Sequence, residues 1–170
     1  MLSRLYPGMY VDSILDIPLE VLRERQIKAF ILDLDNTITD WNSVEIKEQV
    51  AEWFKQIRDQ GFKACILSNN GEKRVLGVAK SLGIPYIHRA RKPTRGAFRR
   101  AIDLMQISPE ETAVIGDQIF TDILGGNRAG AFTILVKPLA RKEFWGTKIS
   151  RFFEFWVLRW LSKNGRLTIK

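Results

Sequence analysis

The sequence predicts a three-layer α/β domain built on a mostly parallel sheet of five strands. Short apolar runs alternate along residues 28–136 with longer segments whose apolar residues repeat at helical spacing. Strands that alternate with helices need crossover connections, which give a parallel sheet covered by helices on both faces. Polar residues directly follow several of the apolar runs, and ligands bind beyond the carboxyl ends of the strands in such sheets.

The predicted elements fill most of the chain. The lead-in contains a Tyr-Pro-Gly turn and a short helix over 19–26. The predicted strands are 29–32, 62–67, 84–87, 112–115 and 132–136, and the main helices are 44–60, 72–82, 94–105 and 120–128. Asn42 and Glu45 have the spacing of a capping box before the helix over 44–60, and Gly61 ends that helix. The apolar face of that helix comprises Ile46, Val50, Trp53, Phe54 and Ile57.

Composition restricts the class of protein. The chain has 170 residues, 45% of them hydrophobic and 27% charged, as expected for one globular domain with a buried core. The single cysteine, Cys65, excludes an intramolecular disulfide and fits a reducing compartment. The sequence shows neither a secretory signal nor an apolar run long enough to cross a membrane. We therefore expect a cytoplasmic protein.

Two aspartates, Asp33 and Asp35, close the first predicted strand. Residues i and i+2 of a strand face the same side, so the two carboxylates repel each other, and burying them unpaired would cost several kcal/mol each. A hard dication would relieve the repulsion. One aspartate could then attack a phosphorus atom while the other moves protons. The alternative is a strand that ends in a solvated Asp-Asn-Thr turn.

Four polar residues at later strand ends and helix starts extend this pattern. Ser68 closes the second strand and could donate to a phosphoryl oxygen, or could belong to an ordinary turn. Lys92 precedes a helix, where its charge could pair with both a phosphate and the nucleophile, or be solvated. Asp117 ends the fourth strand and Asp122 follows as a helix begins. Such carboxylates suit Mg²⁺, although an aspartate at a helix start also serves as a cap.

In this order, the strand with its D-x-D-x-T run, the serine, the lysine and the last pair of aspartates resemble the four motifs of the haloacid dehalogenase (HAD) superfamily. The resemblance covers roughly residues 28–136 and is to the phosphatases of subclass IIIA, which lack a large cap domain. The Tyr-Pro lead-in, Asp35-Asn36-Thr37 and the Gly-Asp-Gln-x-x-Thr-Asp run followed by Gly-Asn-Arg are similar to the phosphatidylglycerophosphate (PGP) phosphatase branch. That branch converts PGP to phosphatidylglycerol.

The resemblance implies a role for each matching residue. Asp33 would be the nucleophile that forms an aspartyl-phosphate, and Asp35 would protonate the leaving alcohol and then activate water. The implied phosphate-binding residues are Thr37, Ser68, Asn69 and Lys92. The implied Mg²⁺ ligands are Asp33, the carbonyl of Asp35, Asp117 and, through a water, Asp122.

The short gaps between the motifs predict an open site. Thirty-two residues separate Asp35 from Ser68, and 23 separate Ser68 from Lys92. The predicted elements occupy most of both gaps, which leaves no room for a folded cap. Small-substrate enzymes usually close over the reacting group. An open site instead suits a bulky substrate: a phosphorylated lipid head group, a protein or a nucleic-acid end.

The last thirty residues differ from the rest of the chain. Residues 141–170 contribute +6 of the net charge of +8, so we separate them as a tail from the domain at 1–140. A helical projection gathers Ile149, Phe152, Phe153, Trp156, Val157 and Trp160 on one face. Basic amphipathic helices with tryptophans are typical of membrane interfaces, although the same face could pack on the sheet. We expect this tail to bind anionic phospholipid at the inner face of a membrane.

Other functions remain open from the sequence. Four arginines near Lys92 could recognise a second phosphate of the substrate or be solvated: Arg89, Arg91, Arg95 and Arg99. A phosphatase or binding module for phosphorylated nucleic-acid ends could use the tail as a clamp on the phosphate backbone, but no nucleic-acid motif is present. A scaffold without catalysis is a further alternative, although no motif position is degraded. His88 is the single histidine, so we do not expect a zinc site.

Overall fold

The computed structural model describes residues 2–139, so the predicted tail at 141–170 lies outside the described residues. The strands are β1 Met9–Val11, β2 Ala29–Leu32, β3 Lys63–Leu67, β4 Tyr86–Ile87, β5 Thr112–Gly116 and β6 Phe132–Val136. The α-helices are α1 Leu19–Glu24, α2 Glu48–Asp59, α3 Glu72–Leu82, α4 Arg95–Met105 and α5 Leu124–Ala129. Single helical turns occur at Leu2–Leu5 and Ile14–Asp16, and a π-helical turn at Ile119–Ile123 precedes α5.

All neighbouring strands pair in parallel, in the order β1-β6-β5-β2-β3-β4. The predicted α/β class is confirmed, but the predicted number of strands is wrong, because the sheet has six. The additional strand is β1, in which Met9 pairs with Ile134 and Val11 with Val136. A strand of three residues is too short to show an apolar period. Its partner, β6, lies more than 100 residues later in the sequence, so no local pattern indicates this pairing.

The start of α2 is a second correction. The helix begins at Glu48 rather than Val44, and the expected cap residue, Asn42, adopts the left-handed conformation with φ 58°. Asparagine tolerates that conformation in a turn, and the capping-box interpretation is therefore wrong. Ser43 accepts a hydrogen bond from the amide of Glu45 within the loop, at 3.0 Å. Ile46 packs against the core from this loop rather than from the helix.

Apolar side chains fill both faces of the sheet. One face carries the larger cluster, in which Phe30 stacks on Phe62 and makes a tilted ring contact with Trp53, and α1, α2 and α3 cover it. The predicted face of α2 is buried at Val50, Trp53, Phe54 and Ile57. The opposite cluster contains Ile31, Cys65 and Phe98 beneath α4 and α5. Burial raises the pKa of the Cys65 thiol to about 12, so this side chain behaves as a small core residue.

The sheet order places three strand ends side by side. β2 lies between β3 and β5, with Leu32 opposite both Ile66 and Ile115. The polar residues after these strands therefore meet at one edge of the sheet. Within residues 2–139, the segment between Asp35 and Ser68 contains α2 as its one helix, and the segment between Ser68 and Lys92 contains α3 and β4. Neither segment forms a cap domain over this edge. No helix in the described part of the chain is long and apolar enough to span a bilayer.

Candidate active site

Asp33 and Lys92 form the buried centre of the site. The amide of Asp33 donates to the Ile115 carbonyl at 2.9 Å, which ties the end of β2 to β5. The Lys92 ammonium donates to Asp33 Oδ1 at 2.5 Å and to Asp122 Oδ1 at 2.6 Å. Only 4% of the Lys92 side chain is exposed. The lysine therefore carries its charge into the interior between two carboxylates.

Asn69 positions the loop that carries Lys92. The Asn69 side chain accepts a hydrogen bond from the Lys92 amide at 2.8 Å and donates to the Lys92 carbonyl at 3.4 Å. This pair of bonds fixes the loop between β4 and α4 against the end of β3. Asn69 itself is exposed beside the cleft. Its predicted contact with a phosphate stays a prediction.

Three buried aspartates form a cluster that fits a divalent cation. Carboxylate oxygens of Asp33, Asp117 and Asp122 all lie within 4.8 Å of one another. Lys92 supplies one positive charge against three negative ones, and uncompensated charge in the interior is costly. Mg²⁺ and similar hard dications prefer such oxygen ligands. Asp35 contributes no carboxylate to the cluster, and its implied backbone ligand stays a prediction.

Burial and neighbouring charges set the ionisation of the central pair. Burial raises the pKa of Asp33 to about 6, Lys92 opposes this rise, and Asp122 and Asp35 add to it. Burial by itself would lower the pKa of Lys92, but Asp122 and Asp33 outweigh that effect, so its pKa is raised. Lys92 and the acidic neighbours thus act on the pKa of Asp33 in opposite directions, while Lys92 itself stays protonated.

Gly116 makes room for Asp122. The chain turns after β5, and the Gln118 amide donates to Asp122 Oδ2 at 3.2 Å, which directs that carboxylate back towards the strand. A Cβ atom at position 116 would lie 2.3 Å from Asp122 Cγ, far inside contact distance. The glycine of the Gly-Asp motif is therefore required by the packing of Asp122.

Asp35 faces a different set of partners from Asp33. Its Oδ1 accepts from the guanidinium of Arg74 and, at 3.3 Å, from the amide of Asn42. Its Oδ2 accepts from the side-chain amide of Asn70. Arg74 was not found by sequence reasoning, since one arginine near the start of a helix carries no recognisable signal. Asn70 belongs to the Ser-Asn-Asn-Gly run, but its contact with Asp35 was not anticipated.

The two predicted hydroxyl groups differ in their surroundings. Ser68 is buried, and its Oγ accepts from the Asn70 amide at 3.2 Å and from Asn70 Nδ2 at 3.1 Å. Thr37 is also buried, and its hydroxyl has no hydrogen-bond partner among residues 2–139. An unpaired buried hydroxyl costs about 1–3 kcal/mol. An oxygen atom of a bound ligand could supply the hydrogen-bond partner that the Thr37 hydroxyl lacks within these residues.

An open cleft of about 310 Å³ joins these residues. Its walls comprise Asp33, Asp35, Asn36, Trp41, Ser68, Asn69, Asn70, Lys92, Gln118 and Thr121. Five of the predicted site residues thus share one cleft. Asp117 and Asp122 adjoin it through the acidic cluster, and Thr37 is buried outside its walls. Gln118 and Thr121, which the sequence analysis placed in a motif without a role, also line it.

A second groove, of about 790 Å³, runs beside the edge strand β4. It is lined by Tyr86, Ile87, His88, Arg89, Arg91, Arg100 and Leu104. We call it the basic groove. The amide of Arg89 donates to the Asn70 carbonyl at 2.9 Å, and that of Ala90 to the Ser68 carbonyl at 3.0 Å. These bonds join the groove to the active-site loop. Arg95 and Arg99 are exposed on α4 and do not line it.

Comparisons with known proteins agree with this geometry. A sequence model of the family described as "Mitochondrial PGP phosphatase" matches residues 2–139. "Probable phosphatase YqeG" of Bacillus subtilis is 42% identical over 98% of this chain and 98% of its own. "Phosphatidylglycerophosphate phosphatase 1, chloroplastic/mitochondrial" of Arabidopsis thaliana is 28% identical over 93% of this chain, which spans only 49% of that relative.

The solved structures support the fold. The cobalt-bound form of the deoxy-D-mannose-octulosonate 8-phosphate phosphatase YrbI from Haemophilus influenzae matches with a TM-score of 0.53 and 20% identity. The match covers 65% of this chain and 68% of that structure. At this identity the likeness concerns the architecture of the sheet and its helices.

Proposed function

This chain belongs to the mitochondrial PGP phosphatase family and is a HAD-type phosphatase, and on that premise we propose that it hydrolyses PGP to phosphatidylglycerol. The observation that carries the proposal is the pairing of Lys92 with Asp33 in an open cleft, where Asp33 also forms a carboxylate cluster with Asp117 and Asp122. A nucleophile, a cationic partner and a cation site within one cleft are what phosphoryl transfer requires.

In the first step, a carboxylate oxygen of Asp33 attacks the phosphorus, and the bond between phosphorus and the alcohol oxygen of the substrate breaks. Asp35 donates a proton to that departing oxygen. Lys92 holds the attacking carboxylate in place and presents positive charge to the phosphoryl oxygens. Ser68 and Thr37 are proposed to donate to the same oxygens. The products of this step are the free alcohol and an aspartyl-phosphate on Asp33.

In the second step, a water molecule attacks the phosphorus of the aspartyl-phosphate. Asp35, now ionised, takes a proton from that water, and the bond between phosphorus and the Asp33 oxygen breaks. Inorganic phosphate leaves, and the Asp33 carboxylate is restored. Positioned proton transfer of this kind contributes about 10²–10⁴-fold to rate.

A divalent cation completes the proposed site. Asp33, Asp117 and Asp122 would hold Mg²⁺, with the Asp35 carbonyl as the further ligand that the family resemblance implies and Asp122 contributing directly or through a water. When bound, the ion supplies positive charge that polarises the phosphoryl group. The buried oxygen ligands and their uncompensated negative charge support this assignment.

The surroundings of the cleft support a lipid substrate. The cleft is open, so the body of a phospholipid could stay outside while its terminal phosphate enters. The basic groove adjoins the loop that carries Lys92, and we propose that Arg89 and Arg91 face anionic head groups. We also propose that residues 141–170 bind the inner face of an anionic membrane. Each Lys or Arg near such a surface contributes about 1 kcal/mol.

Phosphate release from PGP in mixed micelles with Mg²⁺ tests the proposal. The comparison substrates are p-nitrophenyl phosphate and a 5′-phosphorylated oligonucleotide. We expect kcat/KM for PGP to exceed both of the others. Equal turnover of all three would support the chemistry but contradict the lipid assignment. A preference for the oligonucleotide would favour the nucleic-acid alternative, and no turnover would contradict the proposal as a whole.

A further inference from the structure

Arg74 is a charged side chain beside the cleft to which the proposed reaction gives no role. It lies in the first turn of α3, and 17% of its side chain is exposed. Its guanidinium donates to Asp35 Oδ1 and, at 3.3 Å, to the carbonyl of Ser43. Arg74 contacts Asp35 but does not line the cleft.

The contacts of Asp35 hold both of its oxygens. Arg74 and the Asn42 amide share Oδ1, and the Asn70 side chain contacts Oδ2. The three partners come from α3, from the loop after β2 and from the loop after β3. Asn70 also donates to Ser68 Oγ, which links Asp35 to a proposed phosphate-binding residue. Because these hydrogen bonds come from three different segments, the Asp35 carboxylate has little rotational freedom.

We infer that Arg74 is a positioning residue that orients the Asp35 carboxylate for both of its proton transfers. The inference rests on the proposed function, in which Asp35 protonates the leaving alcohol and then takes a proton from water. Such transfers need the carboxylate within about 0.5 Å of its productive position, and a displacement of about 1 Å can cost about 100-fold in rate. Arg74 supplies the charged donor among the three contacts that hold this position.

A purely structural role is the competing explanation. Arg74 also bonds the Ser43 carbonyl, so its removal could loosen the loop over 42–47 and disturb the site as a whole. The two roles predict different kinetics. A loosened site slows the formation of the aspartyl-phosphate from every ester. A misplaced Asp35 slows only the steps in which it transfers a proton.

The test compares Arg74→Met with Lys73→Met, which removes an exposed charge from the neighbouring position on α3. With PGP or another alkyl phosphomonoester, the leaving alcohol needs a proton, and we expect Arg74→Met to lower kcat about 10- to 100-fold. p-Nitrophenolate leaves without a proton. With its phosphate ester we expect a burst of nitrophenol followed by a slow phase, and aspartyl-phosphate detected by mass spectrometry after acid quenching.

Two further variants connect the effect to Asp35. Asp35→Asn should show the same burst, and adding Arg74→Met to it should change the rate less than twofold, because Arg74 acts through that carboxylate. Arg74→Lys keeps one charged donor and should recover part of the rate on alkyl esters. If Arg74→Met does not fold, as judged by circular dichroism, Arg74→Lys carries the same test with a smaller burst.

Three outcomes would overturn the assignment. The assignment fails if Arg74→Met and Lys73→Met have the same kinetics. It also fails if Arg74→Met lowers the rate equally on aryl and alkyl esters and shows no burst. Full additivity of the double variant would exclude action through Asp35. In each of these cases the wild-type chain is active, so the proposed function survives. A wild-type chain that releases phosphate from no ester would overturn both proposals.

Discussion

The Lys92 side chain is almost fully buried, yet it stays charged because it forms ion pairs with Asp33 and Asp122. Removing an ammonium and a carboxylate from water costs several kcal/mol per ion, and only close pairing offsets that cost. In proteins, replacing a buried ion pair by apolar side chains of similar volume is often neutral or stabilising. A buried, perturbed cluster of charges in a cleft is therefore better explained by chemistry than by stability.

We expect Asp33→Asn to lower turnover by at least about 10³-fold, because a neutral amide cannot attack phosphorus. The substitution keeps the shape of the side chain, and Lys92 keeps Asp122 as a partner. The circular dichroism spectrum and the midpoint of thermal unfolding should therefore change little. Residual turnover near that of the wild type would remove Asp33 from the role of nucleophile.

The turn between β5 and α5 shows how closely the backbone and the site are packed. Gly116 ends the strand, and the carboxylate of Asp122 occupies the space that a side chain at position 116 would need. The π-helical turn at Ile119–Ile123 follows at once and returns Asp122 to the acidic cluster. The requirement for glycine here comes from a close approach rather than from a positive φ angle.

Gly116→Ala should lower the free energy of unfolding by about 1–3 kcal/mol, since the new methyl group must displace Asp122. Phosphatase activity should fall in parallel. Gly77→Ala is the matched control: no side chain lies within 4 Å of a Cβ at this position of α3, so we expect stabilisation of about 0.5–1 kcal/mol. Urea unfolding measures both changes. An active Gly116→Ala chain of wild-type stability would contradict this packing argument.

The acidic cluster depends on the arrangement of the whole sheet. Asp33 follows β2, while Asp117 and Asp122 follow β5, and only the parallel pairing of these two strands brings the three carboxylates within reach of one ion. The unfolded chain has no such site. A cation that binds the folded state alone must stabilise it, by roughly 2.7 kcal/mol at a concentration 100 times its dissociation constant.

Mg²⁺ should therefore raise the midpoint of thermal unfolding as its concentration rises, by about 5 °C or more near saturation. The dependence on Mg²⁺ should disappear in Asp117→Asn, which keeps the shape of the side chain but removes one charged ligand. Differential scanning calorimetry at constant ionic strength separates binding from screening. An equal rise in both proteins would show that the ion acts elsewhere.

The basic tail offers a test of membrane association. Replacing Lys148, Arg151 and Arg159 by Gln removes three positive charges, and we expect weaker sedimentation with anionic vesicles than for the wild type. Hydrolysis of p-nitrophenyl phosphate should be unchanged, because this substrate needs no membrane. Unchanged vesicle binding, with unchanged hydrolysis, would contradict the role proposed for residues 141–170.

Local pattern was a good guide wherever neighbours along the chain decide the structure. The predicted strands at 29–32 and 132–136 have the observed bounds, as does the helix from Glu72 to Leu82 that ends at Gly83. The sequence pattern gave wrong predictions where the local structure depends on a distant partner strand or on a single backbone angle. β1 is a strand because it pairs with β6. The left-handed conformation of Asn42 is incompatible with the predicted capping box.

By itself the sequence determined the α/β class, the parallel sheet and the polar residues at its strand ends, because these follow from apolar spacing and residue type. The sequence also predicts that these strand ends share one edge of the sheet and that Lys92 pairs with the nucleophile, whereas the contacts of Asp35 followed only from the folded molecule. Lys92 reaches Asp33 across 59 residues, and Arg74 reaches Asp35 across 39. Contacts at such separations depend on strand order and side-chain packing, and no period along the chain encodes them. Arg74 therefore became visible as part of the site only in the folded molecule.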